Sequence, residues 1–137
     1  MATRSRIGVR LLDGSIWSCY HHWDGYPAGL GVDLVKHYDT HAKAEKLVSL
    51  GDMSSCWTDK NWNRDPMPLG PLTYAMRGEK DMGPITSKDL QDFFHDTARS
   101  DGEYAYLFEP KDQQWHCYDI YSDSSCTVQV QEVPING

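Results

Sequence analysis

No stretch of this 137-residue sequence approaches the roughly 18–20 consecutive apolar residues that span a bilayer, and Met1 to Gly8 lacks the apolar core of a signal peptide. A soluble, intracellular protein without a membrane partner is therefore expected. Basic residues are also scarce: 13 Lys and Arg stand against 20 Asp and Glu, for a formal charge of −7. That balance excludes general nucleic-acid binding, which draws its affinity from cations clustered on phosphates. The four cysteines, Cys19, Cys56, Cys117 and Cys126, form no C-x-x-C pair and are too sparse for a disulfide framework, which suits reduced thiols. Cys19 with His21, and His116 with Cys117, lack the tight ligand spacing of structural zinc sites, so no metal is expected. No P-loop, Gly-rich dinucleotide turn or nucleophile motif occurs, and no cofactor is implied. Internal repeats, low-complexity segments and linkers are missing as well.

What remains is a ring-rich chain, with five Trp, eight Tyr and three Phe, of a length that suits one domain of about 100–150 residues. Ile7 to Leu12 and Ile16 to His21 flank Asp13-Gly14-Ser15, a pattern that predicts a β-hairpin. Ile16, Ser18 and Tyr20 then face one way, and Trp17, Cys19 and His21 the other. Leu30, Leu34 and Tyr38 recur at helical spacing. Thr40 is placed to cap a second helix over His41 to Leu50, with Gly51 at its end. Residues 52–71 break all periodicity, yet contain Trp57 and Trp62, whose rings are expected to pin that loop to the body. Leu72 to Met76 reads as a strand. Thr86 to Asp89 resembles a capping box before a third helix bearing Leu90, Phe93, Phe94 and Thr97. Three β-branched and aromatic runs, Glu103 to Glu109, Gln114 to Tyr121 and Cys126 to Val133, predict an antiparallel meander. The expected fold is a single α+β domain, residues 1–137, in which the hairpin and the meander form an antiparallel sheet with about three helices on one face.

The densest group of functional side chains is His21-His22-Trp23-Asp24-Gly25-Tyr26-Pro27, where a strand gives way to a helix and a rigid scaffold presents loop side chains. Gly25 lets the backbone turn and Pro27 restricts Tyr26 to extended conformations. Trp23 and Tyr26, if open, would stack on a planar ligand, whereas a hydrogen-bonded His22 and Asp24 would form an acid–base pair. Burial of both rings in the core is the plainer alternative. Arg4 and Arg6 precede the first strand at i, i+2 and would share one side if that strand began early, with Arg10 continuing the row. Guanidiniums so arranged would clamp a phosphate or carboxylate, or would simply guard a sheet edge.

Thr3-Arg4-Ser5-Arg6-Ile7-Gly8, the segment Tyr20 to Pro27, Leu34 to Tyr38, Leu47 to Ser55 and Glu103-Tyr104-Ala105-Tyr106-Leu107-Phe108 together resemble a family of small phage and prophage proteins. Its members carry H-W-D-G-Y-P-like, L-G-D-x-S-S and E-Y-x-Y-x-F segments. The likeness runs from Thr3 to about Tyr118 and is thinnest over Cys56 to Asp81. Cys19 and His21 depart from the Tyr-Cys-His-Trp order of that family. The resemblance implies a phage accessory protein in the cytoplasm of an infected bacterium, binding a host or immune-system protein or sequestering a small nucleotide-like anion.

The expected binding residues are Arg4, Arg6, His22, Trp23, Asp24 and Tyr26, acting without turnover. A small hydrolase or transferase working on a nucleotide or modified base, with His22 and Asp24 as acid and base and Arg6 as anion clamp, is the enzymatic alternative. A virion component is a third, and self-association remains compatible with each.

Overall fold

The computed structural model describes residues 3–57, 71–75, 78–80, 82–122 and 128–135. Strands β1 (Ser5–Arg10) and β2 (Ile16–His21) form the predicted hairpin. Its turn closes with Leu11 N donating to Ser15 O at 2.8 Å and Asp13 Oδ1 accepting from Ser15 N at 2.9 Å. Gly14 adopts a φ of 90° there, a region open to glycine but strained for other residues. A π-helical turn, Pro27–Gly31, leads directly into α1 (Val32–His37), and α2 (His41–Ser49) follows. Thr40 caps α2 by accepting from Lys43 N at 3.2 Å, and Gly51 leaves it with a φ of 86°. The short strands β3 (Met53–Ser55), β4 (Leu72–Thr73) and β5 (Ile85–Ser87) precede α3 (Leu90–Arg99), and β6 (Tyr104–Glu109), β7 (Gln114–Ser122) and β8 (Val128–Val133) form the meander.

The α+β architecture matches expectation, with two differences. The sheet runs β4-β3-β2-β1-β6-β7-β8, with β5 also paired to β2, and it is mixed: β1 lies parallel to β6 and β2 parallel to β3. The helices also divide between the two faces. Ile7, Val9, Cys19, Tyr106 and Phe108 pack with Leu30, Leu34, Ala44, Leu47 and Val48 beneath α1 and α2. On the opposite face Ile16, Ala105 and Leu107 pack against Phe93 of α3. Parallel strands are ordinarily covered on both faces, and β1, paired in parallel with β6, is covered in this way.

Asp89, rather than Thr86, caps α3 by accepting from Asp92 N at 2.9 Å. Thr86 and Ser87 are engaged in β5 instead, opposite Trp17 and Ile16. Part of the expected irregular loop is also ordered into the sheet as β3, and Trp57 stacks flat on His37 with ring centroids 3.7 Å apart. That contact, with the ring partly buried against the core, pins the loop's first residues as expected; Trp62 lies outside the described residues.

Gly8 is where α3 comes closest to the sheet, since a Cβ there would lie 2.9 Å from Phe93 Cζ and 3.1 Å from Ile16 Cγ2. Gly8→Ala is expected to overpack this contact and cost about 1–3 kcal/mol in urea unfolding. An unchanged midpoint would show that α3 does not press on β1.

Candidate functional site

The segment after β2 is held by its backbone. His22 N and Trp23 N donate to Met53 O and Ser54 O, at 3.2 and 2.9 Å, which carries the β2–β3 pairing beyond the end of β2. Asp24 takes a φ of 55°, tolerable for Asp in a turn, and its carbonyl accepts from Leu30 N at 2.8 Å. Gly25 N donates to Thr3 O at 2.9 Å, and Tyr106, buried in the core, donates its hydroxyl to Gly25 O at 2.6 Å. Glycine is required here because a Cβ would stand 2.5 Å from Thr3 O. Tyr26 is extended, at φ −73° and ψ 159°, as a residue before proline must be.

With the main chain tied down on every side, the side chains project outward. Trp23 is 48 % exposed and Tyr26 41 %. The core is therefore closed without them, contrary to the usual fate of large rings. Trp23 meets the His22 ring edge-on, with centroids 4.6 Å apart.

The hairpin register sets Ser5 opposite His21 and Arg6 opposite Tyr20, which brings the start of β1 beside the end of β2. Arg4 and Arg6 are thereby brought to the same end of the sheet as the turn. Arg4 is exposed near the Tyr20 hydroxyl, which also shares a 2.7 Å hydrogen bond with His22 Nδ1. Arg6 is only 5 % exposed. Its Nε donates to Ser18 Oγ at 3.0 Å and its Nη2 to Ser18 O at 3.1 Å. Burial pulls its proton affinity down, while Cys19, Asp52 and Asp96 oppose that effect. Arg10 does not join this group, because Glu109 engages it through both carboxylate oxygens at 2.6 and 3.1 Å.

The His22–Asp24 hydrogen bond on which the enzymatic alternative rests does not form. His22 Nδ1 is engaged by Tyr20, and Asp24 lies exposed on a left-handed turn that directs its backbone, not its carboxylate, into the protein's hydrogen bonding. Several residues join the site without having been foreseen. Ser18 and Tyr20 share the Arg6 face by strand alternation, a signal that was available. Asp52 arrives through β3 pairing and Asp96 through α3, and no local pattern announces either. Asp52 Oδ1 accepts from Tyr20 N at 2.9 Å, at the gap between β5 and β3 on the β2 edge. Burial pushes the Asp52 carboxyl up, against the Tyr20 N–H and the Arg6 charge, which favour its ionised form.

On the other side of the same strands lies a dry interior. His21 Nε2 accepts from Cys56 N at 3.0 Å, so the ring proton resides on Nδ1. Burial lowers the imidazole to about 3. Among the described residues neither that Nδ1 nor Ser5 Oγ, its cross-strand neighbour, has a hydrogen-bond partner. Burial also pushes the Cys19 thiol up to about 12, which keeps it protonated and inert. No group of three or more His, Cys, Asp or Glu among the described residues is arranged to hold a metal ion, and no described helix is long and apolar enough to cross a membrane. Comparison with protein families, curated proteins and solved structures finds no match.

Removing the hydroxyl in Tyr106→Phe leaves the buried Gly25 carbonyl without its donor, and urea denaturation should register a loss of about 1–3 kcal/mol. Stability unaltered within error would mean that the turn is not anchored through this bond. Titration of His21 makes a separate prediction. Its folded value, about 3, lies below the unfolded 6.5, so between these values the unfolded chain binds the extra proton and this group erodes stability as pH falls. Imidazole nitrogen NMR at pH 5 is expected to find the neutral Nδ1–H form in the folded protein; a midpoint near 6.5 would contradict the burial.

Proposed function

We propose that this is a phage-encoded accessory protein that works in the cytoplasm of the infected bacterium by stoichiometric binding, without turnover. Its recognition surface is the 22–26 turn together with Arg4 and Arg6. The observation that carries this reading is the exposure of Trp23 and Tyr26 on a main chain held by hydrogen bonds to Thr3, β3, β6 and the π-helical turn. Rigid, exposed aromatics beside arginine supply contact area at small entropic cost, the composition typical of binding hot spots. The arginines favour an anionic, nucleotide-like ligand, whose planar base would lie against Trp23 or Tyr26. A host or immune-system protein occupying the same surface is the other form of the same role. The enzymatic alternative lacks the hydrogen bond between His22 and Asp24 on which it depended.

Trp23→Ala combined with Tyr26→Ala tests the surface. Both rings lie outside the core, so the thermal midpoint should move little. Capture of a partner from infected-cell extract, and the thermal shift with a nucleotide panel, should weaken by roughly tenfold or more. Wild-type protein that binds neither a protein nor a nucleotide, or a double variant that binds as well as wild type, would overturn the proposal.

A further inference from the structure

Arginines as deeply buried as Arg6 are ordinarily paired, because an uncompensated charge in the interior is expensive. Among the described residues no ion pair joins Arg6 to any carboxylate, although Asp52 and Asp96 lie near enough to act on its charge. Each of these acids is held by other donors. Asp52 accepts from Tyr20 N at 2.9 Å. Asp96 accepts from Ser87 Oγ at 2.6 Å through Oδ2 and from Arg99 Nη1 at 3.1 Å through Oδ1.

Of the five N–H groups a guanidinium carries, Ser18 takes one on Nε and one on Nη2. The two on Nη1 have no acceptor among the described residues, yet Nη1 is not among the fully enclosed polar atoms. Ser18 therefore aims the fork, neither carboxylate closes it among the described residues, and Nη1 retains some exposure. Two residues before it, just ahead of β1, is Arg4, exposed and in reach of the hydroxyl of Tyr20, the residue opposite Arg6 in the hairpin.

We propose that Arg6 and Arg4, with Ser18 orienting the first and Tyr20 beside both, form a receptor for a doubly charged tetrahedral oxyanion, the phosphate group of the ligand. This rests on the binding role argued above and specifies the chemistry of one end of that ligand. Two guanidiniums match the charge of a phosphate monoester better than that of a lone carboxylate. The partly desolvated setting of Arg6 strengthens the attraction beyond what a surface arginine provides. Asp52, Asp96 and Asp101 oppose any anion here, so binding is expected to need both guanidiniums.

Titration with inorganic phosphate at constant ionic strength, followed by the Arg6 Nε–H resonance and by thermal shift, tests the proposal. Saturable binding is expected, several-fold tighter than for acetate. Arg4→Gln, which removes an exposed side chain, should weaken it roughly tenfold, as should Ser18→Ala, which leaves every charge in place. Lys111→Gln, an equal charge change in the β6–β7 turn, should leave it unaltered. A response absent from the wild type, equal for acetate and phosphate, or unchanged in both variants would overturn the site. If phosphate binding fails while Trp23-dependent capture persists, the oxyanion receptor falls and the recognition surface stands. Phosphate binding that persists without such capture supports the receptor and removes the surface.

Discussion

The rest of the molecule depends on the placement of β1 between two partners that reach it from opposite ends of the chain. It pairs antiparallel with β2 from Ser5 to Arg10 and parallel with β6 from Ser5 to Val9. Both faces of this strand are covered, as is usual where strands run parallel. Helices α1 and α2 lie over Ile7 and Val9, and α3 lies over Gly8. The same enclosure leaves Arg6 only 5 % exposed, because the residue alternates to the α3 side of a strand covered on both faces. The buried charge and the close approach of Phe93 to Gly8 are thus two consequences of one topological choice.

The recognition turn follows from that choice as well. Parallel alignment with β6 brings Tyr106 beneath the turn, where its hydroxyl reaches Gly25 O, while the residue preceding Arg4 supplies the carbonyl that holds Gly25 N. Anchoring through the main chain frees the side chains from structural duty, so Trp23 and Tyr26 remain exposed without loosening the fold. Arg6 shows the converse arrangement, in which a side chain is fixed by Ser18 and its natural counterions are engaged elsewhere. Both features are forms of preorganisation, in which the ordering cost is met on folding and is not charged again on binding.

Local chemistry made much of the fold legible. Asp13-Gly14 between alternating runs placed the hairpin, Thr40 and Gly51 bounded α2, and the meander was readable from its β-branched and aromatic strands. The parallel β1–β6 contact was not, because a pairing between residues about a hundred positions apart leaves no trace in periodicity. β3 and β5, three residues each, are too short to show alternation. The capping signal at Thr86 was outweighed by strand pairing with Trp17, a tertiary contact overriding a local preference. At the site, the grouping of Arg4 and Arg6 with the turn required only that the strand ends meet, which the register provides. The exposure of Trp23 ran against the ordinary preference of rings for the interior. The withheld carboxylates depend on β3 and α3, neither of which announces its partner in the sequence.

The central claim is that residues 22–26 form a rigid surface in the free protein, ready before any ligand arrives. Backbone 15N relaxation of the uncomplexed protein measures this directly. Order parameters near the rigid-backbone value of about 0.85 are predicted from His22 through Tyr26, equal to those of β1 and β6. Values below about 0.6 across these residues would contradict the account, because the rings would then be carried by a mobile loop and not by a preformed site.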